Sequence, residues 1–106
     1  MTVIDVNSGK SIKGKNAEEQ FLKINIEAAK EIARQLRLRN ISGIVMIDFI
    51  NMKEETHNQE LIKKLAEYVR MDPVRTTVVD MTKLGLVELT RQKGKRALYE
   101  VFSEIK

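Results

Sequence analysis

The chain has no cysteine and no tryptophan, and it carries one proline and one histidine in 106 residues. The missing cysteines exclude disulfides and cysteine-based zinc sites, and they are compatible with a reducing compartment. The single histidine, His57, stands in a polar stretch with no serine or acid patterned around it. A histidine-centred triad is therefore unsupported, and His57 reads as a surface residue. Only 5% of the residues are aromatic and no RNP-like pattern occurs, so recognition of bases by stacking finds little support. No apolar run nears the roughly 20 residues that cross a bilayer, and no charged-then-apolar leader opens the chain. The expected protein has no membrane-spanning segment and is cytoplasmic.

What is present fits one globular domain: 42% hydrophobic and 32% charged residues over a length that suits a single core. Nineteen Lys and Arg against fifteen Asp and Glu leave a net charge of +4. That balance permits a polyanionic partner without requiring one. The five methionines read as core fillers.

The chain starts with an apolar run that breaks into "NSGKSIKGKN". Gly9-Lys10-Ser11 looks like the end of a phosphate-cradling P-loop, but that motif needs a glycine five positions earlier, where this chain has Ile4. The spacing excludes it. A strand over Thr2 to Val6 that begins almost at the first residue suggests a piece of a longer protein.

Asn16 followed by Glu19 resembles a capping box. Behind it Phe21, Ile24, Ala28, Ala29, Ile32, Ala33 and Leu36 recur at helical spacing. This predicts an amphipathic helix over Ala17 to Arg39, with Asn40 as a left-handed stop. The run "GIVMIDFI" lacks alternation and predicts a strand buried on both faces. A second helix, capped by Thr56 with Gln59 and striped by Leu61, Ile62, Leu65, Ala66 and Val69, must end by about Asp72 because Pro73 follows. "RTTVV" and, after a turn at Gly85, "GLVEL" predict two further strands. Leu98, Val101, Phe102 and Ile105 predict a short terminal helix. The expected class is α/β, a mainly parallel sheet with flanking helices in the order β-α-β-α-β-β-α.

Two acids stand where such a sheet gathers ligands. Asp5 ends the first strand and Asp48 comes near the end of the second, and ligands of open α/β sheets collect outside the carboxyl ends of strands. Two converging carboxylates suit a hard cation such as Mg²⁺, which keeps several waters and accepts phosphate oxygens. Asn7, two residues beyond Asp5, faces the same way if the strand continues. The plainer alternative is that each Asp satisfies loop N–H groups. Asp48 resists that alternative, because a carboxylate buried in an apolar run must be paired or ligated.

Cations surround these acids in sequence. Lys10, Lys13 and Lys15 follow the first strand, Arg34, Arg37 and Arg39 close the first helix, and Arg91, Lys93, Lys95 and Arg96 follow the last strand. An acidic metal pocket in basic surroundings fits a nucleic-acid phosphodiester, whereas each cluster alone also fits a solvated surface.

The segments "VIDVNSG", "NIEAAKEIARQLRLRNISGIVMIDFINM" and "NQELIKKLAEYVRMDPVRTTVVDMTKLGLVELTRQK" together resemble the catalytic subdomain of the ribonuclease E/G family of endoribonucleases. The resemblance covers nearly the whole chain. It implies a deoxyribonuclease-I-like subdomain of a larger, homo-oligomeric enzyme that cleaves single-stranded RNA in RNA processing and decay. It further implies Mg²⁺, with Mn²⁺ as an alternative ion, on Asp5 and Asp48, with Asn7 in support. Hydrolysis by an activated water, leaving a 5′-phosphate and a 3′-hydroxyl, is the chemistry implied. Lys10, Lys13, Lys15 and Arg91 are the expected RNA contacts, and Arg75 matches a position near the family's 5′-monophosphate pocket.

Two departures from the family pattern stand out. Asn51 replaces an acid that many members carry in "IDFIDM", and the cysteine pair that shares zinc between subunits is absent. Zinc-linked dimerisation is not expected of this chain, and little activity is expected of it without the family's other domains. The alternative from a different class is a non-catalytic RNA-binding or assembly module whose acids are structural.

Overall fold

The computed structural model describes residues 1–6, 14 and 16–93. The expected terminal helix lies outside the described residues, as do Asn7, Lys10, Lys13, Lys15, Lys95 and Arg96. Six elements follow in the order β1 (Thr2–Asp5), α1 (Ala17–Leu38), β2 (Gly43–Asp48), α2 (Glu55–Arg70), β3 (Thr76–Met81) and β4 (Leu86–Arg91).

The sheet has the order β1-β2-β4-β3. β1 pairs with β2 in parallel, whereas β4 is antiparallel to both of its neighbours. The α/β class with flanking helices holds, and the sheet is mixed rather than purely parallel: β1, β2 and β3 run in one direction and β4 runs against them. The reason is the link between β3 and β4: Thr82 to Gly85 form a tight turn, with Thr82 N–H donating to Leu86 O at 2.8 Å and Gly85 N–H to Thr82 O at 3.1 Å. A turn that short can join only antiparallel strands. The returning strand then inserts between β2 and β3.

Alternation sets the layers. Val45 and Ile47 of β2 and Val87 and Leu89 of β4 share one face and are fully buried against Ala29, Ile32, Leu36, Leu61 and Leu65 of the helices. Both helices therefore cover the same face. The other face is open, with Ile44 45% and Val3 66% exposed and Met46 half-buried. The expectation of a β2 buried on both faces is corrected accordingly: "GIVMIDFI" reads as double-sided because Ile44 and Met46 lie on a face that these helices do not reach.

α1 ends as its sequence predicts. Asn40 takes φ 49°, Asn40 N–H donates to Arg37 O, and Ile41 N–H donates to Leu36 O. This six-to-one closure satisfies carbonyls that the last turn leaves open. The helix starts differ from expectation. Asn16 precedes α1 without a side-chain cap, and α2 begins at Glu55 behind Glu54, so the Thr56–Gln59 cap does not form. The Glu54 carbonyl instead accepts from His57 and Asn58 N–H. A missing cap costs about 1 kcal/mol, while each buried aliphatic side chain contributes about 1.5–3 kcal/mol. Packing outweighs capping here.

Candidate metal centre

Because β1 and β2 are parallel, their carboxyl ends arrive at the same end of the sheet. The register sets Thr2 opposite Val45, Ile4 opposite Ile47 and Asp5 opposite Asp48. Residues in register on adjacent strands share a face, and the strands lie about 4.8 Å apart. Ile4 and Ile47 point to the helices, so Asp5 and Asp48 both stand on the open face. Asp5 is exposed and Asp48 half-buried. The second acid is therefore not enclosed in the core as its apolar flanks suggested, for the same reason that Met46 is not.

The main chain around the pair is held on three sides. Val6 N–H donates to Asp48 O at 2.9 Å and carries the β1–β2 ladder one residue past Asp5. Phe49 N–H donates to Gly85 O at 3.3 Å. Gly85 has φ +86°, and a Cβ there stands 3.2 Å from Phe49 O, so only glycine lets the turn press against the strand that carries Asp48.

Asn25 supplies the third restraint. Its side chain, fully buried, accepts Ile50 N–H at 3.0 Å and donates Nδ2–H to Ile50 O at 2.9 Å. The amide thus imitates a neighbouring strand for a segment that has left the ladder. Sequence reasoning passed over Asn25, although it falls in phase with Phe21, Ala29, Ile32 and Leu36 on the apolar stripe. A polar residue on that stripe is the signal that was available. Asn25→Leu removes both bonds and strands the Ile50 main chain in the core, which costs about 1–3 kcal/mol. Chemical denaturation is expected to show that loss, together with amide shifts at Asp48 and Phe49.

His57 is half-buried at the start of α2, with Nδ1 3.7 Å from Glu18 Oε2 and without a hydrogen-bond partner among the described residues. Glu18 also accepts the Lys53 N–H. His57, expected at the surface, is partly covered where the starts of the two helices meet.

The expected cations divide. Arg91 is not an exposed RNA contact: it is 3% exposed, with Nε donating to Asp72 Oδ2 at 2.7 Å, Nη2 to Asp72 Oδ1 at 3.3 Å, and Nη1 to Ile41 O at 2.9 Å and Asn40 Oδ1 at 3.1 Å. The physical reason is phase, since Arg91 follows Val87 and Leu89 on the covered side of β4. Burial opposes ionisation of Asp72. The hydrogen bonds from Arg91 and Val74 N–H and the charges of Arg91 and Arg37 nevertheless hold its carboxyl below the usual 3.8.

Arg75 is exposed and precedes Thr76, which pairs with Arg91 and so lies level with Gly43. That level is five residues below Asp48, roughly 17 Å at strand rise. Arg34, Arg37 and Arg39 sit at the same far end, because α1 starts beside the acids and its 22 residues run about 33 Å away from them. Arg34 is paired with Glu31 at 3.0 Å, and Arg39 donates to Gln35. The molecule thus has an acidic end with the Asp pair and a distant arginine-rich end. The cations near the acids among the described residues include Lys53 and Lys83, which sequence reasoning did not single out.

Among the described residues no three Asp, Glu, His or Cys side chains gather into a ready cation cage. Two carboxylates alone leave most coordination positions to water and ligand oxygens. That donor set fits Mg²⁺, which retains waters and binds through one or two carboxylates plus phosphate.

Comparison with known proteins matches residues 1–94 to the model of the Ribonuclease E/G family. Ribonuclease E of Nostoc sp. is 44% identical over 98% of this chain and 15% of its own length. Ribonuclease G of Haemophilus influenzae is 40% identical over 98% of the chain and 21% of its own length. Ribonuclease G of Escherichia coli K12 is 41% identical over 95% of the chain and 21% of its own length. The chain spans about a sixth to a fifth of the length of these relatives.

Proposed function

The chain belongs to the ribonuclease E/G family, and on that premise we propose that it contributes the metal-binding part of an enzyme that hydrolyses phosphodiester bonds in single-stranded RNA. The observation that carries this reading is the register of Asp5 against Asp48, which sets two carboxylates side by side on an open sheet face. They are the residues that hold the ion, with Asn7 proposed as a supporting group. When bound, a divalent cation supplies Lewis-acid polarisation of a phosphoryl oxygen and lowers the pKa of water.

The chain's own residues orient. The Val6 to Asp48 hydrogen bond fixes the spacing of the two carboxylates. Asn25 and Gly85 hold the segment after Asp48, so the second carboxylate is set before any ligand arrives. Among the described residues nothing covers the open face beside the two acids. Lys10, Lys13 and Lys15 are proposed to meet its phosphates from the loop after β1, and Arg75 is proposed to act at the far end of the sheet.

A magnesium titration followed by amide NMR tests the site. Saturable shifts centred on Asp5, Val6 and Asp48 are expected, and Asp48→Asn is expected to remove them. A folded protein whose amides ignore Mg²⁺ would show that these two carboxylates do not hold the ion in this chain.

A further inference from the structure

A groove of about 770 Å³ runs between α2 and β3, bordered by Lys53, Lys63 and Lys83 over an apolar floor of Ile62, Val78 and Met81. It opens at the end of the sheet that carries Asp5 and Asp48. Lys83 lies in the turn before Leu86, the residue paired with Asp48, and Lys53 follows Asp48 by five positions. β3 stands two strand spacings from β2, about 10 Å.

Charge selects the occupant. Two carboxylates, Asp80 and Glu55, share the rim, so the lining sets three positive charges against two negative ones; Asp80 Oδ1 accepts Met81 N–H at 2.7 Å, and Glu55 sits in the first turn of α2, where the helix dipole favours an anion. The three lysines are all exposed and take part in no ion pair among the described residues. The groove lining therefore carries a net positive charge of one.

Among the described residues β3 is an edge strand, and an extended peptide is the rival occupant. The register of β3 shifts between Val78 and Asp80, and such a bulge turns an edge away from further strand pairing. Exposed ammonium groups above an aliphatic floor suit phosphates with ribose or base faces beneath them. No aromatic side chain among the described residues lines the groove, so binding there is by charge and indifferent to base identity.

We propose that this α2–β3 groove, on the helix-covered side of the sheet, is a phosphate-binding track for single-stranded RNA that reaches the Asp5–Asp48 site on the open face by passing round the end of the sheet where both lie. The inference rests on the ribonuclease reading above and adds Lys53, Lys63 and Lys83 to it.

The test is fluorescence anisotropy of the 106-residue chain with labelled oligouridine across a salt series, in the absence of divalent ions. Lys63→Gln with Lys83→Gln is expected to weaken binding about tenfold at moderate salt. It is also expected to flatten the slope of log affinity against log salt by about 1.4, two phosphates at about 0.7 each. Lys63→Arg with Lys83→Arg is expected to keep the slope. Both lysines are exposed, so thermal melting should match the unaltered chain. Unchanged affinity and slope in the Gln variant would overturn the groove while leaving RNA binding intact. An unaltered chain with no salt-sensitive RNA binding would likewise overturn the groove, while the Mg²⁺ titration decides the Asp5–Asp48 site separately. Binding of polyglutamate as tight as RNA, lost with the same substitutions, would assign the groove to an acidic protein partner and overturn the RNA track.

Discussion

Asparagine in place of Asp48, or of Asp5, is expected to reduce divalent-dependent cleavage of single-stranded RNA by about a hundred- to ten-thousandfold in the full-length enzyme. The estimate follows from the several kcal/mol that a bound cation contributes to transition-state charge, at 1.36 kcal/mol per tenfold in rate. The Asp48 substitution is nearly isosteric and lies on the open face, outside the hydrophobic core. Melting should therefore move by less than about 0.5 kcal/mol in stability. RNA binding without divalent ions should survive, because removing a negative charge beside a polyanion does not weaken their attraction. Initial rates at saturating Mg²⁺ on a defined single-stranded substrate provide the measurement. Cleavage at the unaltered rate in both variants would make the acids structural and favour the non-catalytic RNA-binding or assembly module.

The second large effect concerns stability. Arg91→Met removes the partner of a carboxylate whose side chain is only 3% exposed, and it also withdraws donors from Asn40 and Ile41. An uncompensated buried charge costs about 3–5 kcal/mol, a large share of the 5–15 kcal/mol that holds a small domain together. A fall in melting temperature of about 15 °C or more is expected at neutral pH. Arg91→Met combined with Asp72→Leu should recover part of the loss, because neither charge is then buried alone.

The pH dependence separates the charge from the packing. Asp72 has its folded-state pKa held below 3.8, so its contribution to stability is fully present above that value and fades as pH falls through the lower, folded-state pKa. The unaltered chain should lose stability below about pH 4 more steeply than Asp72→Asn. Parallel acid-unfolding curves for the two would rule out the Asp72–Arg91 pair as a source of acid sensitivity.

The wrong assignment of Arg91 and the correct placement of Asp5 and Asp48 have a common origin in strand phase. A strand shows its two faces as alternate residues, but which face the helices cover depends on elements far away in the chain. On β4 the inward set is Val87, Leu89 and Arg91, and the arginine could have been recognised from that phase alone. It reads as an exposed cation because its buried acceptor, Asp72, comes from the turn just after α2, nineteen positions earlier. Asn25 was overlooked for the converse reason. Its place on the apolar stripe was visible, but its partner is the main chain of Ile50, which carries no side-chain signature.

Local rules that act within a few residues were legible in the chain: the helical period of α1, the left-handed stop at Asn40, the end of α2 before Pro73, and the two acids at the strand ends. The motifs that place the chain in its family were equally legible, since they are strings of adjacent residues. Long-range pairing supplied the remainder. The insertion of β4 between β2 and β3, the covering of a single sheet face, the burial of Arg91 and the distance of the arginine-rich end from the acids all arise from contacts between residues remote in sequence. Their energies come from shared burial and hydrogen bonding, and a linear pattern records only one partner of each such contact.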